Sequence, residues 1–432
     1  MPPTDAPANA PVLPARADLV VLGAGPAGLF AAIEAKRAAP NLSILICERR
    51  PFAGGQVPVA GGGRCNVTNA GSVEMLMAGF GRDGRWLEPA LRRFDNIAVI
   101  RWFETRGVGM KEEEDGKIFP TSDDGTDVQN AMIREAESLN ILISLRTRIE
   151  SILIEDAKIV GVVANGTTVS CPSLIIASGG TGPRPTPTHG VTFAAALGHK
   201  LVAPAPALAP IKLKNREVEP LSGVSLTVRL SAGPIGFTTK KPKASKVGVL
   251  LFTHFGLSGP VVLDLSHPIA RIAAREPSEL SLDLLPDVND ARAEIDKLIL
   301  QNGGKTVKNA NIQSIPKRVW EHIISLSKID PNIRCAEITA AERSALAKII
   351  KDWRFQQFEV TWAGAMVTGG GIALTEVDPK TLQSRRVAGL FFSGETLDLQ
   401  GECGGYNLQA SFSTGALAGA SAANYIQSFR QQ

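Results

Sequence analysis

The stretch LVVLGAGPAG, residues 19–28, decides the fold of this chain. Its first four residues form a short apolar run, which is typical of a parallel strand buried on both faces. Gly23, Gly25 and Gly28 follow in a G-x-G-x-x-G spacing, and the Ala-rich stretch 29–39 then predicts a helix. A strand, a glycine turn and a helix in this order predict a Rossmann-type dinucleotide-binding unit in an α/β protein.

Each position of this turn has a physical reason. Gly23 permits the tight turn, Gly25 lets the backbone approach a pyrophosphate, and Gly28 allows close packing of the helix on the strand. A second apolar strand at 43–47 ends at Glu48, near the spacing that places a carboxylate on an adenosine ribose. The residues predicted to hold the ADP half of a dinucleotide are Gly23, Gly25, Pro26, Ala27, Gly28, Glu48 and Arg49.

Segments far along the chain favour FAD over NAD as the bound dinucleotide. LIIASGG at 174–180 and GLFFSGE at 389–395 are two more apolar strands that end in small residues, and GGYNL at 404–408 opens a helix over roughly 406–424. The N-terminus of such a helix would stabilise the negative charge of a reduced flavin. An ordinary NAD-binding dehydrogenase explains none of these C-terminal features.

The nonapeptide GGGRCNVTN at 61–69 is more specific than any glycine fingerprint. Together with LFTHFGLSGP at 251–260, GLFFSGETLD at 389–398 and GGYNLQ at 404–409, it makes the chain resemble the aminoacetone-oxidase-like or BaiN-type FAD-dependent oxidoreductases of bacteria over residues 18–426. The resemblance implies an FAD domain of the two-dinucleotide type, split in sequence by a β-barrel-like domain that carries a small helical subdomain. It also implies bound FAD, usually reduced by NAD(P)H.

The resemblance also implies where the cofactor lies. It places Gly63, Arg64, Cys65 and Asn66 beside the isoalloxazine, and it places Glu395, Gly405, Tyr406, Asn407 and Leu408 at the ribityl chain and flavin. The small residues that end two apolar strands, Ser178, Gly179, Gly180 and Gly394, are also expected beside the cofactor, as in flavoproteins of the two-dinucleotide class. This chain departs from many relatives at Gly55-Gln56, in the Pro-rich turn 178–190, and at Cys403.

Composition and the pattern of apolar residues predict the domain boundaries. The predicted organisation is a flexible tail (1–17), a first FAD-binding segment (18–192) with a β-ribbon at Ile141–Val163, a β-barrel-like insert (193–286), a helical subdomain (287–350), a return segment (351–365) and a second FAD-binding segment (366–432). Apolar spacing predicts helices at Ala291–Leu300, Val319–Leu326 and Glu342–Trp353.

Several classes of protein are excluded. No stretch of about 18 apolar residues exists, so we expect no membrane span. The five cysteines lie far apart without a C-x-x-C pair, which argues against a zinc ribbon or a disulfide scaffold and favours a cytoplasmic protein without a metal site. The sequence carries no signal of an oligomeric state.

The charge distribution leaves two classes of molecule open as the electron acceptor of the flavin. Residues 200–355 carry 23 Lys and Arg against 15 Asp and Glu, a net charge of +8, while the rest of the chain has a net charge of −4. Clusters such as Lys240, Lys241 and Lys243 are either a solvated surface or a site for an anionic partner such as RNA. We favour a small-molecule acceptor, with an RNA-modifying flavoenzyme that reduces a nucleobase as the alternative.

Two residues are candidates for catalysis. Cys65, next to Arg64 after a glycine-rich loop, is either a thiol with a lowered pKa or a small residue packed under the flavin. His254 is either a proton donor or a hydrogen-bonded loop residue. Arg64 is expected to be a buried structural or flavin-binding cation, and a redox disulfide of Cys65 with Cys403 is disfavoured. No second G-x-G-x-x-G marks a nicotinamide domain, so dioxygen also remains an electron acceptor to test.

Overall fold

The computed structural model describes residues 12–180 and 188–430, which form two compact units. The first unit runs to Pro204 and resumes at Val367, and the second comprises Ala205–Met366. The sequence-based boundary between 192 and 193 differs from this division, because it would cut a continuous helix at His189–Ala196 that belongs to the first unit. Residues 1–11 of the expected tail and 181–187 of the Pro-rich turn lie outside the described residues.

The elements are named in chain order. The strands are β1 (Leu19–Leu22), β2 (Ile44–Cys47), β3 (Thr68–Asn69), β4 (Met110–Glu112), β5 (Lys117–Pro120), β6 (Leu142–Ser144), β7 (Ile149–Glu155), β8 (Lys158–Ala164), β9 (Thr167–Ser170), β10 (Leu174–Ile176), β11 (Leu201–Ala207), β12 (Ile211–Leu213), β13 (Ser225–Pro234), β14 (Ala244–Thr253), β15 (Gly256–Ser258), β16 (Ser278–Asp283), β17 (Trp353–Phe355), β18 (Phe358–Val360), β19 (Val367–Ile372) and β20 (Leu390–Phe392). The α-helices are α1 (Pro26–Ala38), α2 (Val73–Ala78), α3 (Gly84–Arg93), α4 (Asn96–Glu104), α5 (Gly125–Ser138), α6 (His189–Ala196), α7 (Pro260–Ala273), α8 (Ala291–Asn302), α9 (Lys317–Leu326), α10 (Ala340–Lys351) and α11 (Tyr406–Arg430).

A five-stranded parallel sheet forms the centre of the first unit, in the order β20-β10-β1-β2-β6. Leu22 at the end of β1 pairs with Cys47 on one side and Ile176 on the other, and Ile176 pairs with Phe392. The carboxyl ends of β1, β2, β10 and β20 therefore meet at one edge, which is where open α/β sheets bind their ligands. The α/β fold with a Rossmann-like domain is confirmed.

The C-terminal helix α11 packs along α1 at unusually short range. A Cβ atom added at Gly415 would lie 2.4 Å from the carbonyl oxygen of Ala27, and one added at Gly419 would lie 2.0 Å from that of Ala31. Phe412 and Phe30 pack with ring centroids 4.7 Å apart. Helices α1 and α11, which are far apart in sequence, therefore share one core.

Two smaller sheets complete the first unit, in the orders β3-β5-β4 and β7-β8-β9, and β11 pairs with β19 at the boundary of the two units. The predicted β-ribbon at Ile141–Val163 is wrong in its first part, because Leu142–Ser144 pairs in parallel with β2 and only β7 and β8 form the ribbon. The predicted flexible tail is also wrong near its end: Arg16 forms a β-bridge with Ser170 and Ala17 is buried, since this segment extends the edge next to β9.

The second unit contains a seven-stranded antiparallel sheet, in the order β17-β16-β13-β14-β15-β12-β18. Only Gln356 and Gln357 separate its two edge strands, so the sheet must curl towards a barrel. Helices α8, α9 and α10 lie in the segment predicted to be helical, and Trp320 and Ile350 belong to the core of this unit. The third helix was predicted two residues too far along the chain: α10 has the predicted length but ends at Lys351, because Trp353 starts β17 and pairs with Leu282.

Candidate cofactor site

The turn between β1 and α1 contains two glycines that the fold itself requires. Gly23 has a φ of +106°, and a Cβ atom there would lie 2.5 Å from the carbonyl oxygen of Ala177. A Cβ atom at Gly28 would lie 1.9 Å from the carbonyl oxygen of Gly23. Neither site can accept a side chain, because the atoms in the way belong to the backbone.

Gly25 differs from its neighbours. Its φ of −76° suits any residue, and apart from adjacent chain atoms no described atom lies within 4 Å of the position where its Cβ would be. It is the N-cap of α1, with Pro26 at the first position, and the N–H groups of that first turn have no acceptor within the helix. Open space beside these donors and the positive end of the helix dipole fits a pyrophosphate.

Glu48 lies at the end of β2, and its carboxylate is oriented by two backbone donors. Oε2 accepts from the N–H of Ala24 at 2.8 Å, and Oε1 accepts from the N–H of Arg50 at 2.8 Å. The next residue, Arg49, is exposed. Burial, the charge of Arg148 and then the charge of Arg49 lower the pKa of His189. The carboxylate of Glu48 keeps lone pairs for the hydroxyl groups of a ribose.

The ends of β10 and β20 meet through Glu395. The N–H of Gly180 donates to Glu395 Oε2 at 3.4 Å, and the N–H of Thr368 donates to Oε1 at 2.7 Å. Burial raises the pKa of the Glu395 carboxyl group. Ser178 and Gly179 are held from the side, because Thr188 Oγ1 lies 3.1 Å from Ser178 Oγ and donates to the carbonyl oxygen of Gly179 at 3.1 Å.

Glu395 borders a cavity of about 230 Å³ within the first unit. Most of the atoms that line this cavity are apolar. The lining residues are Gly180, Val191, Leu201, Val202, Ala203, Pro204, Thr368, Gly370, Gly371 and Glu395. Gly394, next to Glu395, has a φ of +66°, and a Cβ atom there would be 2.7 Å from the Cβ of Ala27. Gly394 and Ala27 thus hold β20 against α1.

The GGGRCNVTN loop meets the start of α11. A Cβ atom at Gly405 would lie 2.4 Å from the carbonyl oxygen of Thr68. The Asn66 amide, in the orientation that satisfies both of its polar atoms, donates to the carbonyl oxygens of Thr68 (2.9 Å) and Ile118 (3.2 Å) and accepts from the N–H of Gly405 (3.0 Å). The structure therefore brings together two motifs that are more than 330 residues apart in sequence.

The predicted side chains at the start of α11 hold the preceding loop. The Asn407 amide forms two hydrogen bonds with Gly401, accepting from its N–H and donating to its carbonyl oxygen, each at 2.9 Å. The Tyr406 ring fills a slot where a Cβ atom at Gly79 would lie 2.4 Å from it, and Leu408 packs partly buried against the core. What α11 offers a ligand is therefore its N-terminal turn, at the positive end of the helix dipole.

These features lie within the span of a known family. The HI0933-like protein Rossmann domain matches residues 17–421. The chain belongs to the HI0933-like family. This confirms the resemblance to BaiN-type flavoproteins, and it identifies this HI0933-like protein as an FAD-dependent flavoprotein of the oxidoreductase class.

Two curated relatives match almost end to end. The chain is 30% identical over 407 residues to the ribosomal RNA dihydrouridine synthase of Escherichia coli K12, covering 92% of this chain and 96% of the relative. It is 28% identical over 409 residues to the 3-dehydro-bile acid delta(4,6)-reductase of Clostridium scindens, covering 93% and 98%. Among solved structures, the 3-ketosteroid delta1-dehydrogenase of Sterolibacterium denitrificans shares the fold, with a TM-score of 0.53 at 12% identity over 95% of this chain and 100% of that one.

The residues of this HI0933-like protein fit FAD. Gly25 leaves the space that a pyrophosphate needs, and a side chain there would fill that space without meeting the protein. Glu48 follows β2 and Glu395 follows β20, and these two strands flank the central pair β1 and β10. The ribose and the ribityl chain of an extended dinucleotide would pass along this edge of the sheet.

Arg64 and Cys65 differ from their predicted environments. Arg64 was expected to be buried, but 37% of its side chain is exposed, and it pairs with Glu113 and Asp123 while its guanidinium lies 4.1 Å from the centre of the Phe119 ring. Cys65 is fully buried with a φ of +61°, and burial raises the pKa of its thiol to about 12. Of the two alternatives for Cys65, the raised pKa contradicts a thiol with a lowered pKa and agrees with a small packed residue.

The remaining predicted residues are placed as follows. Gly63, with a φ of +95°, completes the loop before Arg64. His254 belongs to the second unit, where it is exposed in the turn between β14 and β15 and contacts the Phe255 ring. Among the described residues no group of His, Cys, Asp or Glu side chains could hold a metal ion, and no helix is long and apolar enough to cross a membrane.

The sequence did not single out three residues that organise the site. Thr68, Thr368 and Gln409 are buried, and their hydrogen bonds connect the segments described above. Thr68 and Gln409 stand inside the quoted motifs, and that position was the available signal for them.

Proposed function

We propose that this HI0933-like protein takes electrons from NAD(P)H through FAD and passes them to a small molecule with a carbon–carbon double bond conjugated to a carbonyl group. The observation that carries the oxidoreductase part is the open position at Gly25, with oriented carboxylates at Glu48 and Glu395 along the same edge of the sheet. The names of the curated relatives support the acceptor class.

Both curated relatives are named for additions of hydrogen to such double bonds. Dihydrouridine is uridine with two hydrogens added across a double bond conjugated to a ring carbonyl, and a delta(4,6)-reductase of a 3-oxo steroid acts on double bonds conjugated to the 3-carbonyl. In either case a hydride adds to the carbon farther from the carbonyl and a proton adds to the nearer carbon. Bound FAD would supply that hydride after its reduction by NAD(P)H.

The chain's own residues bind and orient. The first turn of α1 and the space at Gly25 receive the pyrophosphate, and Glu48 accepts from ribose hydroxyls. Glu395, whose pKa is raised by burial, holds a proton at higher pH than an exposed carboxyl group and can donate it to a ribityl oxygen. The N–H groups at the start of α11 stabilise negative charge. Cys65 fills space, whereas His254 is the proton donor to test.

Anaerobic titration of the purified yellow protein tests this function. We expect NADH or NADPH to bleach the flavin, and a small enone such as cyclohexenone to restore its absorbance with one enone consumed per flavin. His254→Gln should slow reoxidation without slowing reduction if His254 donates the proton. Reoxidation by air alone, with no response to enones, would identify an oxidase and refute the proposed acceptor.

A nucleobase in RNA is the second candidate acceptor. It is favoured by the relative named for ribosomal RNA and by the exposed Lys240 and Lys241 in the turn between β13 and β14. This turn is fixed in shape, because Gly236 donates to buried Glu279 at 2.8 Å and Arg354 donates to the carbonyl oxygen of Phe237 at 2.9 Å. Ribosomal RNA should then reoxidise the flavin and acquire dihydrouridine, whereas free uridine should not.

A further inference from the structure

Gln409 lies one turn into α11, and every polar atom of its side chain is used. Its Oε1 accepts from Thr68 Oγ1 at 2.5 Å, and its Nε2 donates to the carbonyl oxygen of Phe94 at 3.0 Å and to Ser413 Oγ at 2.8 Å. Gln409, Thr68 and Ser413 are each completely buried. A buried amide that makes three hydrogen bonds is costly to remove, because its partners would lose those bonds.

The network fixes the first turn of α11 against β3. The N–H of Gln409 donates to the carbonyl oxygen of Gly405 at 3.0 Å, which closes that turn. Thr68, the partner of the Gln409 side chain, also packs its own carbonyl oxygen against Gly405. Backbone contact at Gly405 and side-chain contact at Gln409 therefore set both the position and the rotation of the turn.

The same strand carries a second link to the loop before α11. Asn69 Nδ2 donates to the carbonyl oxygen of Gly404 at 3.4 Å, and the Asn96 amide at the start of α4 donates to the carbonyl oxygens of Asn69 (2.7 Å) and Gly71 (2.8 Å). Strand β3 is thus anchored on both sides. A shift of α11 relative to β3 would require breaking the Thr68–Gln409 hydrogen bond.

We propose that Gln409 is a positioning residue, which through Thr68 sets the distance between the N-terminal turn of α11 and the flavin and thereby the stability of the reduced flavin. The inference rests on the proposed function, since it requires FAD at the start of α11. The effect of a helix terminus on a charge falls off within one turn, so a small displacement of that turn weakens it. Loss of the hydrogen bond should lower the midpoint potential.

The test compares Thr68→Val and Gln409→Met, which remove the hydrogen bond, with Thr68→Ser, which keeps the hydroxyl group. Ser266→Ala is the matched control, because Ser266 is a completely buried hydroxyl in the second unit that accepts from the N–H of Ala209 at 3.1 Å. For each protein the FAD content, the melting temperature and the midpoint potential of the bound flavin are measured by equilibration with redox dyes.

We expect Thr68→Val and Gln409→Met to bind reduced flavin about tenfold less well relative to oxidised flavin, which lowers the potential by about 30 mV for a two-electron couple. Thr68→Ser should restore the parent potential, the double variant should shift no further than either single variant, and Ser266→Ala should lower only the melting temperature. Loss of FAD by both Thr68→Val and Gln409→Met would overturn the inference, because it would show that the network is needed for FAD binding as such.

An unchanged potential in a Thr68→Val protein that retains FAD would overturn the inference and leave the proposed function intact. A parent protein that binds no FAD would instead refute the proposed function. The two failures are therefore distinguishable in the same set of samples.

Discussion

The backbone N–H of Ala24 donates to Oε2 of Glu48 at 2.8 Å, which joins the glycine turn after β1 to the end of β2. The second oxygen of Glu48 is held by the N–H of Arg50. Because both donors belong to the backbone, the carboxylate is oriented before any ligand arrives. Little ordering of this side chain is then needed on binding, which favours affinity.

Gly25→Val should abolish FAD retention without preventing folding, because the added side chain enters the space for the pyrophosphate and meets no described atom of the protein. The FAD-free variant should melt like the FAD-free parent. The control Gly304→Val, at another open position, should retain FAD like the parent. Gly28→Ala should instead fail to fold, since its Cβ atom would meet the carbonyl oxygen of Gly23. A yellow Gly25→Val protein would show that this turn does not cradle the cofactor.

Glu395→Gln should stabilise the FAD-free protein increasingly as the pH rises. Burial raises the pKa of Glu395 above its ordinary value of 4.5, so above pH 4.5 the folded protein keeps a proton that the unfolded chain loses. Stability of the parent therefore falls with rising pH until the raised pKa is passed, and the variant lacks this loss. Melting temperatures from pH 4.5 to 8 measure the difference; exposed Glu104→Gln is the control. A difference independent of pH would contradict the buried carboxyl group.

One thiol should react rapidly with Ellman's reagent in the native protein. Of the five cysteines only Cys403 is partly exposed, and burial raises the pKa of Cys65 to about 12, so Cys65 carries almost no thiolate near neutral pH. Cys403→Ser should eliminate the fast phase, and Cys65→Ser should leave it intact. If Cys65→Ser removed the fast phase, Cys65 would be accessible and its chemical role would have to be reconsidered.

Replacing Lys240, Lys241 and Lys243 by Glu distinguishes RNA from a small molecule as the electron acceptor. If RNA is the substrate, the triple variant should bind RNA more weakly and with a smaller salt dependence, because fewer phosphate counterions are released. FAD content and reduction by NAD(P)H should stay as in the parent. The control reverses three scattered exposed lysines, Lys297, Lys348 and Lys380, with the same change in net charge. Equal behaviour of both variants, or no RNA binding at low salt, would eliminate the RNA alternative.

Gly415→Ala should lower the free energy of unfolding by about 1–3 kcal/mol, because the new methyl group would be forced against the carbonyl oxygen of Ala27 in a fully packed helix contact. Urea denaturation of the FAD-free protein measures the loss. Gly304→Ala, with no atom within 4 Å of its Cβ position, should change stability far less. A neutral Gly415→Ala would mean that α1 and α11 can separate at little cost.

Local spacing was enough to predict some of the site. Gly23, Gly25 and Gly28 are set by a turn of six residues, and Glu48 by the end of the next strand, so their relations are short-range. Arg64 shows the limit: its partners Glu113 and Asp123 lie 49 and 59 residues away, and no spacing rule indicates which carboxylates will meet it. Helix α11 also extends past the predicted residue 424, because Ile426 is buried in the core and Tyr425 contacts the Phe391 ring.

The sequence by itself determined the Rossmann-like unit, the FAD-binding family and the residues of the glycine turn, because a buried parallel strand, a left-handed or close-packed glycine and a helix start each leave a local pattern. Only the tertiary structure decided that Gly405 packs on Thr68, that Gln409 completes its hydrogen bonds through β3, and that the Cys65 thiol is too buried to ionise near neutral pH. Such facts depend on which distant segments exclude water from one another, and burial is a property of the packed chain that no short stretch contains.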